Sequence, residues 1–224
     1  MDPRRHMTTD MMARQQNNIL EDPSAIYRRS FEIVRGAIDT ERLDDDITVV
    51  AERLVHATAM PALIDDLMWT PAAAAIGRTA LAHGGTILAD GQMVVAGITS
   101  ARLPAGTEVM CTLGLGTVAG IARRLNTTRA AAAVSLWEPW LEGAVVTIGN
   151  APTALFRLLD GLASGWPRPA LILGFPVGFV GAAEAKQALV EGDHGVPYIT
   201  LKGRLGGSAM AAAAVNALCG PPRD

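Results

Sequence analysis

The residues whose types and spacing could do chemistry in this chain are one histidine and a surplus of arginine. Histidines stand at positions 6, 56, 83 and 194 and cysteines at 111 and 219, with no CxxC pair, so no metal-ligand cluster is spelled out. Ser208 lies in G-G-S-A-M and not in the G-x-S-x-G turn that exposes a hydrolase nucleophile. His56 in RLVHATAM (53–60) is the residue whose role is open at this point, an exposed helical histidine or a group that moves a proton, since an imidazole can both give and take one near neutral pH. His83 beside Gly84-Gly85 and His194 beside Gly195 read as helix-end or loop residues. Of 19 basic residues only Lys186 and Lys202 are lysines. Guanidinium groups hold carboxylates or phosphates through paired hydrogen bonds, but a genome biased towards Arg and Ala codons gives the same composition.

The element that must position His56 is a helix over about 44–60. On it Ile47, Val50, Ala51, Leu54 and Thr58 form one stripe towards the core. His56 falls on the opposite side with Val49, Arg53 and Met60 at spacings of three and four. Such a mixed face fits a cleft wall or a subunit interface. An earlier helix runs from the cap Asp22 and Pro23 to Ala37, and a third opens at Thr70-Pro71 and closes at Gly84-Gly85.

Beyond residue 85 short β-prone runs alternate with helical segments: 86–89, 108–113, 144–149, 170–175 and 197–202, with helices over 127–141, 153–162 and 181–190. Alternation implies crossover connections. The expected fold is therefore α/β, a single doubly wound, mainly parallel sheet with helices on both faces and extra N-terminal helices. A polar leader (1–18), one domain (19–219) and a short tail (220–224) complete the expected organisation. Ligands bind beyond the carboxyl ends of such strands, which points to Asp90, the loop after Leu113, Asn150, Pro176-Val177-Gly178 and Gly203-Arg204. Helices opening at GNAPTALF (149–156) and GGSAMAAAA (206–214) offer backbone N–H groups to anions, with Ser208 read as an N-cap.

The segment GLGTVAG (114–120) matches a dinucleotide fingerprint, yet the following strand ends Thr147-Ile148-Gly149-Asn150 without the carboxylate that holds a ribose. A formal net charge of −3 and no basic stripe argue against nucleic acid. No apolar run approaches the roughly 18 residues that span a bilayer, and the first residues lack the apolar stretch of a secretory signal. Two cysteines make no disulfide framework, and a cytoplasmic location is expected.

The ordered motifs IYRRSFEIVR (26–35), RLVHATAM, GITSARLP (97–104), NTTRAAAAV (126–134), EGAVVTIGNAPTALFRLL (142–159), ILGFPVGFVGAAEAK (172–186) and GVPYITLKGRLGGSAMAAAAVNAL (195–218) resemble the precorrin-8X methylmutase family of cobalamin biosynthesis. The resemblance implies a cofactor-free isomerisation: a methyl group of a tetrapyrrole moves between adjacent ring carbons, 11 to 12, to give hydrogenobyrinate. It implies a homodimer with its site near the subunit interface and His56 as proton donor. By match to family motifs, Arg29, Ser30, Thr99, Arg102, Arg129, Asn150, Lys186, Arg204 and Ser208 are expected around the substrate. A non-catalytic tetrapyrrole carrier of the same pathway is the alternative. Three departures from the family pattern stand out: Asp90-Gly-Gln92 and Ala96 where an acid and a histidine are usual, Thr58-Ala59 where Cys-Gly is common, and Gly114–Thr117 in place of a charged loop.

Overall fold

A computed structural model describes residues 22–220; the expected leader and all but the first residue of the expected tail lie outside them. Helix α1 (Pro23–Ala37) starts as its sequence dictates, with the Asp22 carboxylate accepting from the Ser24 N–H at 2.9 Å and Pro23 in the first turn. Helix α2 (Asp45–Thr58) places Asp45 and Asp46 in its first turn, where the helix dipole favours negative charge. It ends at Ala59, a non-glycine residue held in the left-handed region at φ 55.

A 3-10 stretch (Pro61–Asp66) then leads into strand β1 (Leu67–Trp69) and helix α3 (Ala73–Ala82). The remaining elements are β2 (Ile87–Ala89), α4 (Gln92–Gly97), β3 (Val109–Met110), α5 (Val118–Arg124), α6 (Arg129–Val134), β4 (Val145–Ile148), α7 (Pro152–Ala163), β5 (Leu171–Gly174), α8 (Ala182–Glu191), β6 (Tyr198–Leu201) and α9 (Ser208–Leu218). The sheet has six strands in the order β1-β6-β5-β4-β2-β3, parallel throughout except for β1 against β6.

The period of two along each strand divides the core in two. Ile87, Ala89, Val145, Leu171, Leu173, Ile199 and Leu201 face α2, α3 and α9, whereas Leu88, Val146, Ile148 and Ile172 face α6, α7 and α8. Helix α9, with four consecutive alanines, comes close enough to the end of β4 that a Cβ on Gly149 would stand 2.6 Å from the Ala211 Cβ. Only glycine fits there.

Three expectations need correction. The antiparallel strand β1 is absent from the expected set of strands, because its three residues are too few to show alternation. The 108–113 run contributes only Val109–Met110 to the sheet; Thr112–Gly114 turns as a 3-10 stretch, and the Thr112 hydroxyl accepts from the buried Trp137 indole at 2.9 Å. The expected 127–141 helix shortens to α6, since Pro139 and the inward turn of Trp137 break it. Strand β3 is moreover an edge strand, followed by a seven-residue helix, which leaves GLGTVAG without the central strand-to-helix turn that a dinucleotide needs.

Candidate functional site

Register brings His56 to the working end of the sheet. Strand β1 begins with Leu67 opposite Leu201, the last residue of β6, and the Lys202 N–H donates to the Asp66 carbonyl at 2.7 Å. The turn that follows α2 therefore lies at the carboxyl edge, and the last turn of α2 arrives there with it. His56 is exposed, as its helical face requires. Its Nδ1 and the Ser30 hydroxyl of α1 are 2.9 Å apart, and its ring stacks on Phe31 with centroids 4.7 Å apart at 22°. With Nδ1 occupied, Nε2 is the nitrogen left to exchange a proton.

Arg53, one turn earlier, covers the Phe31 ring at 4.8 Å and the Tyr27 ring at 5.5 Å. The Tyr27 hydroxyl accepts from Arg53 at 2.5 Å and from Arg102 at 3.3 Å. Burial tends to raise the Tyr27 pKa, but the two guanidinium groups outweigh it and the phenol is shifted down. The His56 pKa is also shifted down, first by partial burial and then by repulsion from the Arg53 cation, both of which favour the neutral imidazole.

Depressions open on both flanks of this helix pair. One, of about 250 Å³, is lined by Ser30, Val34, Val55, His56 and Ala59, and the other, of about 410 Å³, by Tyr27, Phe31, Arg53 and Ala217 among others.

A second group occupies the strand ends. Asp90, at the end of β2, is buried and accepts from the backbone N–H groups of Gly149, Asn150 and Ala151 at 2.9, 3.0 and 2.8 Å. Burial nevertheless raises its pKa. These three donors are thus satisfied by the protein itself, which revises the reading of the GNAPTALF turn as an open anion cradle. Asn150 remains exposed at its tip. Arg204 is exposed after β6, its guanidinium 5.6 Å from the Phe179 ring. Ser208 opens α9 but does not cap it; Gly207, at φ 131, occupies the cap position with no side chain to offer.

The other expected contacts separate. Ser30 touches His56 directly. Arg102, only 5% exposed, is tied to Tyr27 and to the Gly220 carbonyl. Arg29 sits on the outer side of α1 in an ion pair with Glu32 at 3.1 Å. The backbone of Thr99 is bound to the Asn216 side chain at 2.8 Å, and Arg129 reaches the Leu113 carbonyl at 3.3 Å. Lys186 is 1% exposed and donates to the Leu205 carbonyl, and burial lowers its pKa to about 8 against the opposing pull of Asp66. It is thus a support for the loop that carries Arg204.

Sequence reasoning missed Tyr27 and Phe31 as a pair, although their spacing of four on α1 places them on one face. His83 and His194 are occupied by backbone groups: His83 Nδ1 and the Thr79 carbonyl are 2.7 Å apart, and His194 Nδ1 accepts from the Val196 N–H while Nε2 donates to the Leu189 carbonyl.

Fold and site together define a class: an α/β protein that presents an exposed imidazole on a face rich in guanidinium and aromatic groups. The family model for precorrin-8X methylmutase matches residues 25–220. The chain is 53% identical over 199 residues to precorrin-8X methylmutase of Pseudomonas aeruginosa, covering 89% of this chain and 96% of that protein. It is 50% identical over 202 residues to the Sinorhizobium sp. protein of the same name, covering 90% and 96%. Against cobalt-precorrin-8 methylmutase of Priestia megaterium identity is 36% over 197 residues, covering 88% and 87%. The crystal structure of precorrin-8X methyl mutase from Thermus thermophilus superposes with a TM-score of 0.80 at 39% identity, covering 88% of this chain and 94% of that one. The chain belongs to the precorrin-8X methylmutase family, and as a member it is an isomerase of cobalamin biosynthesis.

Proposed function

We propose that the chain moves a methyl group from carbon 11 to carbon 12 of precorrin-8X, giving hydrogenobyrinate, with His56 as the general acid. One observation carries the assignment of His56: an exposed imidazole whose Nδ1 is bound by Ser30, whose ring is braced by Phe31, and whose Nε2 is left for substrate. In the free enzyme, partial burial and Arg53 shift the His56 pKa down and favour the neutral imidazole. A substrate rich in carboxylates offsets Arg53 and raises the imidazole's affinity for a proton, so the acid is charged when the substrate is in place. Lending that proton to the macrocycle polarises the conjugated system. The carbon–methyl bond at one ring carbon then breaks as the bond at its neighbour forms, the double bonds shift, and the proton returns, leaving an isomer.

Arg102, Arg129, Arg204, Asn150, Thr99 and Ser208 are the groups proposed to reach the periphery of the substrate, directly or with small movements of their loops. Lys186 and Arg29 are proposed to act through neighbouring loops and ion pairs. Neither depression beside α1 and α2 is large enough to enclose a tetrapyrrole with its side chains, which supports a homodimer whose second subunit closes the site. A cytoplasmic location is proposed from the two-cysteine composition, which offers no disulfide framework; among the described residues no helix is long and apolar enough to cross a membrane. The higher identities, 53% and 50%, are to proteins named for precorrin-8X rather than cobalt-precorrin-8, which supports the metal-free substrate.

The test is His56→Ala with purified precorrin-8X, followed by absorbance. Conversion is expected to vanish while hydrogenobyrinate still binds; unchanged turnover removes His56 from the mechanism. Parallel turnover of the cobalt-containing substrate decides the metal question, and binding without any spectral conversion by the wild-type chain identifies a carrier.

A further inference from the structure

The loop after β5 carries the two most exposed large apolar residues of the described chain, Phe179 at 86% and Val180 at 89%. Leaving a phenylalanine in water forfeits the free energy of removing its surface from solvent, so the backbone must hold it there. It does so at several points. Gly178 at φ 144 and Gly181 at φ 81 bracket the tip in conformations that L side chains rarely adopt. The Val177 N–H donates to the Asn150 carbonyl at 3.5 Å, the Gly178 N–H to the Arg204 carbonyl at 3.4 Å, and the Gly207 N–H to the Phe175 carbonyl at 2.8 Å. A Cβ on Gly206 would stand 2.4 Å from the Phe175 carbonyl oxygen, so the two loops are pressed together without room for a side chain.

The tip is thus a fixed prong, tied to the residues before α7 and after β6, with the Arg204 guanidinium 5.6 Å from the Phe179 ring. Around His56 the same pairing recurs, with Arg53 over Phe31. An aromatic face beside a guanidinium matches a flat conjugated ring that carries carboxylates on its rim.

We propose that Phe179 and Val180 form a stacking platform for the tetrapyrrole macrocycle, with Arg204 beside it binding a rim carboxylate. The inference rests on the isomerase reading above. Neither residue touches the reacting carbons: the platform sets affinity, and His56 does the proton transfer.

The experiment compares wild type, Phe179→Ala and Phe179→Leu for hydrogenobyrinate affinity by absorbance titration, for precorrin-8X turnover, and for mass by sedimentation. Phe179→Ala is expected to weaken binding about tenfold, the equilibrium factor of about 1.4 kcal/mol, with kcat little changed and mass unchanged. Phe179→Leu, which keeps apolar surface without the π face, is expected to recover only part of the loss. Unchanged affinity in Phe179→Ala overturns the platform, and so does a change in mass, which would assign the prong to contact with a second copy of the chain. Wild type that neither converts precorrin-8X nor binds hydrogenobyrinate overturns the isomerase reading itself and the platform with it. Active wild type with an unaffected Phe179→Ala sinks the platform alone.

Discussion

Ala59 lies at φ 55, ψ 30, where the resemblance that identifies the family leads one to expect glycine. A left-handed conformation costs an L residue roughly 1–2 kcal/mol. Ala59→Gly removes that strain, and the more flexible unfolded chain takes back about 0.4–1 kcal/mol. The side chain is exposed, and the Ala59 N–H bond to the Val55 carbonyl at 2.8 Å belongs to the backbone, so no packing or hydrogen bond is lost. The net expectation is a gain of about 0.5–1 kcal/mol, a rise in Tm of about 1–4 °C for a domain of this size. Two residues earlier the sign reverses: Ala57, exposed within α2, has ordinary helical backbone, and Ala57→Gly is expected to cost up to about 1 kcal/mol. Urea unfolding of both variants, with equal m-values, separates native strain from changes in the unfolded state. An Ala59→Gly variant no more stable than wild type would falsify the strain argument, and equal effects at both positions would show that the αL geometry is irrelevant.

Replacing Arg53 with methionine keeps much of the stem over Phe31 but removes the charge, so the His56 pKa should move up towards 6.5 while partial burial still holds it below that value. Imidazole C–H shifts in an NMR titration read this directly, and an unmoved pKa excludes Arg53 as a cause. Since the folded-state pKa of His56 is the lower one, its contribution to stability is present above about 6.5 and lost as pH falls through the folded value; Arg53→Met should shrink that loss. For Lys186 the depressed value of about 8 means that the folded state sheds its proton first, so this group adds stability as pH rises from about 8 towards 10.5. Lys186→Met should abolish that rise in denaturant unfolding and lower turnover by freeing the Arg204 loop; an identical pH slope in both proteins counts against a buried, titrating Lys186.

Elements are legible in the sequence wherever a local signal exists. Asp22 and Pro23 announce α1, the alternation of apolar runs with helical segments announces the parallel sheet, and the spacing of Val49, Arg53 and His56 puts the imidazole on an outer face. What stays hidden depends on partners distant in the chain. Leu67–Trp69 becomes a strand only because β6 lies beside it. Lys186 looks like any helical lysine until the chain around Leu205 crosses its amine, and Asp90 looks like a free carboxylate until the turn after β4 folds over it. The two arginines that meet at the Tyr27 hydroxyl come from α2 and from residue 102, a meeting that no periodicity encodes.

The layer that holds His56 joins segments far apart in sequence, since α2 packs on α9 and Arg102 is tied to Gly220. On a ribosome, His56 waits for roughly 150 further residues before the helix packed on its own exists. Contacts of such long sequence separation form slowly. The arrangement around His56 should therefore be the last acquired in folding and the first lost when α9 loosens, well before the sheet itself gives way.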